Sequence, residues 1–146
     1  MYTYNDEKAL VAQGAYEVMI ERMEVKTLST GREKITIMYR ILDIDQQKFA
    51  NKCLFEDIWE EKLNPGIFNR KRINQLLGTQ KIKEGTTFED INAIIDFMLG
   101  KRLIVNVDIE FDDYNKEDRN VVKFYKSSKY LITTPVAPVE DDDLPF

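Results

Sequence analysis

The chain has 146 residues, 43% of them hydrophobic, and a formal net charge of −5. That length suits one domain around one core, and no apolar run approaches the ~20 residues needed to span a bilayer as a helix. Histidine is absent and Cys53 is the single cysteine. This removes the commonest general base, any internal disulfide and, in practice, a zinc cluster.

Residues 1–13 read as a polar lead-in. From Gly14 a period of two begins, with Tyr16, Val18 and Ile20 on one face of a strand of about ten residues. Ser29-Thr30-Gly31 reads as a turn. Ile35, Ile37, Tyr39 and Ile41 form one face of a second strand, and both its faces are largely apolar or aromatic. A third strand is expected over 49–59, with Cys53 and Phe55 on one face and Lys52 and Leu54 on the other. Cys53 itself is expected as a small core residue.

Asn64-Pro65 resembles an N-cap followed by proline at the first helical position, with Ile73, Leu76 and Leu77 at helical spacing and Gly78 as a stop. Thr86 and Glu89 make a capping-box pattern before Phe88, Ile91, Ile95, Met98 and Leu99, and Gly100 ends that helix. Alternation returns at Leu103, Val105, Val107, Ile109 and Phe111. A polar loop covers 112–118, and a fifth strand runs from Arg119 to about Ser127. Three of the four prolines fall in the last twelve residues, among acids, so a disordered tail is expected over 131–146.

The expected fold is therefore mainly β. It is a five-stranded Greek-key barrel of the oligonucleotide-binding (OB) type, with a two-helix insert between strands three and four, spanning 1–130. In such a barrel, ligand crosses strands two and three between two loops, here 28–33 and 112–118.

Charge is segregated. Glu140, Asp141, Asp142 and Asp143 carry four negatives, which leaves residues 1–139 at −1. Six cations and no acid lie between Lys62 and Lys83, and four and none between Arg119 and Lys129. That pattern favours an anionic ligand and a detachable acidic segment. Catalysis has little support. No phosphate-binding glycine loop is present. Asp108, Glu110, Asp112 and Asp113 read as a solvated edge rather than a metal site. No enzyme activity, cofactor or metal is expected.

Single-strand binding needs cations for phosphates and flat rings for bases. The stretch Arg119-Asn120-Val121-Val122-Lys123-Phe124-Tyr125-Lys126 interleaves both. One of Phe124 and Tyr125 belongs to the core. Tyr125 is the preferred stacking ring because simple alternation places it beside Lys123. Tyr114, in a polar loop, is a second ring. Arg32 and Lys34 at the first loop, Arg40 in strand two and Lys52 in strand three are candidate phosphate contacts, together with Arg119, Lys123 and Lys126. Trp59 either stacks on a base or covers the barrel end. Arg70, Lys71 and Arg72 read as a solvated helix face.

The segment Asp141-Asp142-Asp143-Leu144-Pro145-Phe146 is more than a solubilising run. An acidic stretch alone does not need Leu-Pro-Phe, whereas a docking peptide gains from a ring that fills a pocket and acids that steer toward a basic rim. This segment resembles the acidic tip of bacterial single-stranded DNA-binding proteins. The body resembles phage-encoded single-stranded DNA-binding proteins in Gly14-Ala15-Tyr16-Glu17-Val18, Gly85-Thr86-Thr87-Phe88-Glu89, Gly100-Lys101 and Asn120–Lys126. The resemblance implies a protein of replication, recombination and repair that coats single-stranded DNA and recruits enzymes through its tip. The tail of about sixteen residues departs from the longer glycine- and glutamine-rich linker of the bacterial proteins. No signal peptide is expected, so the location implied is cytoplasmic, in the host cell if phage-encoded. A homo-oligomer is left open, and no membrane contact is expected. The competing expectations are a protein–protein adaptor whose barrel binds no nucleic acid, and a strand-annealing factor.

Overall fold

In the computed structural model, described over residues 10–130, strand alternation and its interruptions set the architecture. Strand β1 (Gly14–Thr27) turns Tyr16, Val18 and Ile20 inward. The register shifts between Ile20 and Arg22, and the extra residue, Glu21, moves the inward positions to Met23 and Val25. A tight turn follows, in which the Gly31 N–H donates to the Leu28 carbonyl (2.8 Å) at φ 88°, a backbone state that glycine enters without strain. Strand β2 (Glu33–Ile41) buries Ile35, Ile37, Tyr39 and Ile41 completely. Strand β3 (Cys53–Glu61) sends Leu54 and Ile58 inward, so Cys53, Phe55, Asp57 and Trp59 take the opposite face. Cys53 is thus half-buried on the outer face, not in the core as expected.

The sequence cue at Asn64-Pro65 is not a helix start. Residues Asn64–Phe68 form strand β4, a short edge strand hairpinned onto β3, and an edge is where a sheet tolerates proline. The Glu60 carboxylate holds this corner, accepting the N–H groups of Glu33 (2.9 Å) and Gly66 (2.8 Å). Helix α1 (Arg70–Gly78) begins later. Its cap is Asn69, whose side chain accepts the Arg72 N–H at 3.2 Å. Helix α2 (Ile91–Met98) is capped by Asp90 through the Ala93 N–H at 2.9 Å, not by Thr86, whose hydroxyl donates to the Lys83 carbonyl. Strands β5 (Arg102–Asp112) and β6 (Glu117–Ser127) form a long hairpin.

The fold is mainly β, with two helices. All pairings are antiparallel, in one six-stranded sheet ordered β4-β3-β2-β1-β5-β6. The sheet has one more strand than the sequence suggested, and its ladder is open, with β4 and β6 as edges. Ile73, Leu76 and Leu77 of α1 and Ile95 and Met98 of α2 join the core formed by the inward side chains of the sheet. Neither helix is long and apolar enough to cross a membrane.

Side chains, not a ladder, join β3 to β6. Glu56 of β3 points inward, where its Oε1 accepts the hydroxyls of Tyr39 (2.7 Å) and Tyr125 (2.5 Å). Arg72 of α1 donates its Nε–H to Glu56 Oε2 at 2.7 Å and its terminal nitrogens to the Lys123 and Val122 carbonyls at 3.0 Å each. Its guanidinium also lies 4.1 Å from the Tyr125 ring centroid. Arg72 is therefore no solvated helix cation. It satisfies carbonyls that the open edge of β6 would leave unpaired.

Burial, reinforced by the Glu56 charge, raises the pKa of Tyr39 and Tyr125 above the ordinary 10.0. A raised folded pKa stabilises the protonated form. The contribution is complete below pH 10.0 and is lost as pH climbs above it toward the folded values. In an alkaline titration followed by tyrosinate absorbance, these two rings are expected to ionise only with unfolding. Titration of Tyr39 and Tyr125 near 10.0 in a folded protein would contradict the buried seam.

Candidate nucleic-acid interface

The outward face of β3 carries two rings four residues apart, Phe55 and Trp59. Phe55 is 60% exposed. At ~3.3 Å per residue their backbones are separated by roughly 13 Å. The register places Met38 beside Phe55 and Lys34 beside Trp59. One strand further, Arg22 lies opposite Met38 and Lys26 opposite Lys34. The rows Arg22–Met38–Phe55 and Lys26–Lys34–Trp59 thus cross β1, β2 and β3 on either side of the row Glu24–Thr36–Asp57, where Asp57 accepts from Thr36 and pairs with Lys34. Beyond β3 the face drops into a cleft of about 630 Å³, with Phe55 and Trp59 on one wall and Arg119 and Asn120 of β6 on the other.

The cations predicted from sequence divide into engaged and available groups. Arg32 lies with its guanidinium 4.5 Å from the Trp59 ring centroid, and the Lys34 ammonium is 5.2 Å from it. Trp59 therefore holds two cations at the end of the face. Lys34 also pairs with Asp57 at 3.1 Å. Arg40 is fully engaged. Glu21, the extra residue of the β1 bulge, grips it with both oxygens, and its third contact is the Asn51 carbonyl at 2.8 Å. These bonds raise the Arg40 pKa and lower that of Glu21. Lys52 and Arg119 are exposed and form no ion pair among the described residues.

The β6 assignments need correction. Phe124 pairs with Asn106 but Val122 pairs with Val107, so Lys123 is an extra, bulged residue. Face parity reverses there. Tyr125 turns inward onto Glu56 and Arg72, so the preferred stacking ring is a core group. Phe124 turns outward and is 65% exposed. Lys123 forms an ion pair with Glu110. Lys126 shares the outward face with Phe124 and makes no ion pair among the described residues. Tyr114 projects from the β5–β6 turn at 92% exposure, away from both rings of β3 in sequence and element.

Phe55 and Arg22 were not singled out from the sequence. The signal for Phe55 was present, since it shares strand parity with Trp59, but with apolar residues on both faces of β2 and β3 the alternation does not say which is outward. The tip residues Asp141, Asp142, Asp143, Leu144, Pro145 and Phe146, and the expected disordered tail, lie outside the described residues.

A family model described as "protein of unknown function (DUF669)" matches residues 3–138. The chain belongs to the DUF669 family. No curated protein matches it. Because the match covers the entire described fold, the open six-stranded sheet, the Arg72 seam and the β3 face all fall within the DUF669 region.

Proposed function

We propose that this DUF669 protein binds single-stranded DNA across the outer face of β1, β2 and β3 and in the adjoining cleft, and that it works as an OB-type barrel whose last seam is closed by side chains. The observation that carries the proposal is the pair Phe55 and Trp59 on one strand face, flanked by Arg22, Arg32, Lys34 and Arg119. Rings accept any base by stacking and the cations meet phosphates, so the binding is sequence-tolerant. The resemblance to phage-encoded single-stranded DNA-binding proteins agrees with this reading. In the same proposal, residues 141–146 recruit enzymes of replication, recombination and repair to the coated strand.

The test is fluorescence anisotropy of a labelled homopyrimidine strand. If roughly three to five phosphates are contacted, log affinity falls against log salt with a slope of about −0.7 per contact. A form lacking residues 141–146 keeps this binding but loses the replication and recombination enzymes recovered by the full chain from a bacterial lysate. Undiminished recovery would remove the docking role of the tip. A second reading has one observation in its favour: Asp57, Glu117 and Asp118 also line the cleft. Acids at that site suit a protein adaptor, which would give no anisotropy change with either strand form.

A further inference from the structure

The opposite half of the same outer surface carries a second set of groups. Here β1, β5 and β6 lie side by side, and the register gives the rows Ala15–Asn106–Phe124 and Glu17–Ile104–Lys126, with Met19 opposite Arg102. The bulge at Lys123 is what turns Phe124 outward, 65% exposed, onto a surface whose neighbours include the small residues Gly14 and Ala15. Among the described residues, two buried side-chain polar atoms lack a hydrogen-bond partner. They are Arg102 Nε and Asn106 Oδ1. Both belong to the outward set of β5, four residues apart. Both atoms are covered by their neighbours, so this face offers a ligand chiefly Phe124 and Lys126.

We propose that this face is a second single-strand contact, reached by the same DNA strand after it leaves the β1–β2–β3 face. The proposal rests on the single-strand reading above. A nucleic acid strand supplies what the accessible groups lack: a base face for Phe124 and phosphate oxygens for exposed Lys126 and half-buried Arg102. The Glu17 carboxylate does not oppose it from solvent, because it is buried and held by the Ser128 hydroxyl and the Lys129 N–H. Asp108 borders the depression beside Phe124, so the phosphate path runs from Phe124 toward Lys126 and Arg102. Arg22 and Ala15 stand seven residues apart on β1, roughly 23 Å at ~3.3 Å per residue. A short oligonucleotide therefore occupies one face only, and a long one occupies both.

The experiment compares oligothymidylates of about four and about sixteen nucleotides, the span of site sizes known for such folds. It uses the full chain, Phe124→Ala and Phe55→Ala, each checked by thermal melting. Phe124→Ala is expected to leave short-strand affinity unchanged and to weaken long-strand affinity about 5- to 150-fold, the loss of one stacked base. Phe55→Ala weakens both. Lys126→Gln gives an independent arm, flattening the salt slope for the long strand alone. Binding of both strands with no response to Phe124→Ala or Lys126→Gln would overturn the second contact and leave the first face standing. Failure of the wild-type protein to bind either strand would overturn both. A change in self-association on sedimentation, without a change in long-strand affinity, would identify the Phe124 face as a protein contact instead and overturn the proposal.

Discussion

Replacing Arg72 with alanine is expected to cost about 3–5 kcal/mol of folding stability, the range for removing one partner of a buried ion pair. A domain of this kind has about 5–15 kcal/mol in total, so the variant loses a large part of its margin. The seam explains the size of the effect. Arg72 makes one bond to Glu56 and one to each of two β6 carbonyls, and it covers the Tyr125 ring. Removing it strands a carboxylate that already accepts two tyrosine hydroxyls, and it leaves two edge carbonyls without donors. Burial opposes the charge of Arg72, yet Glu56 and the tyrosine oxygens hold its pKa above the ordinary arginine value. Lysine is a poor substitute, because a single ammonium cannot serve the three acceptors in the fork geometry of a guanidinium. Urea unfolding of wild type, Arg72→Ala and Arg72→Lys measures the loss. A cost below about 1 kcal/mol, typical of a surface pair, would mean the seam is solvated.

The second large effect concerns binding. Phe55→Ala is expected to weaken single-strand affinity by about 1–3 kcal/mol, or about 5- to 150-fold, while leaving the melting temperature nearly unchanged. Both halves of that statement follow from exposure. A ring that is 60% exposed contributes little to the core, so its loss is read in affinity. Tyr125→Ala is the contrasting control. That ring is part of the seam, so its removal lowers stability first. Equal damage to stability from both variants would contradict the assignment of faces.

Much of the fold was legible because hydrophobic alternation is strong where one strand face is buried. Ile35, Ile37, Tyr39 and Ile41, and later Leu103, Val105 and Val107, announce β2 and β5 directly. The failures have local causes. Asn64-Pro65 carries the same residue types for a helix start and for an edge hairpin, and the latter occurs because β3 offers an open edge at Glu60 and Glu61. A single bulged residue, Lys123, reverses every assignment after it on β6, and no sequence signal marks it. Arg72 looked like one of three solvated cations. Its role depends on two carbonyls some fifty residues away in sequence, a contact that periodicity cannot show. Of the cations nominated for phosphate, Lys34, Arg40 and Lys123 already have acid partners, whereas Lys52, Arg119 and Lys126 do not among the described residues.

The most direct test of the β3 face uses its own chromophore. Trp59 is the single tryptophan of the chain and shares the outer strand face with Phe55, at one end of the proposed path. Its fluorescence should be titrated with a homopyrimidine single strand and with a duplex of equal length, at low and at moderate salt. The proposed interface predicts saturable quenching by the single strand, weakened by salt and lost in Phe55→Ala only through lower affinity. It predicts little response to the duplex, whose bases are already stacked and unavailable to the rings. Unchanged Trp59 emission with bound single strand, or equal quenching by both forms, would contradict it.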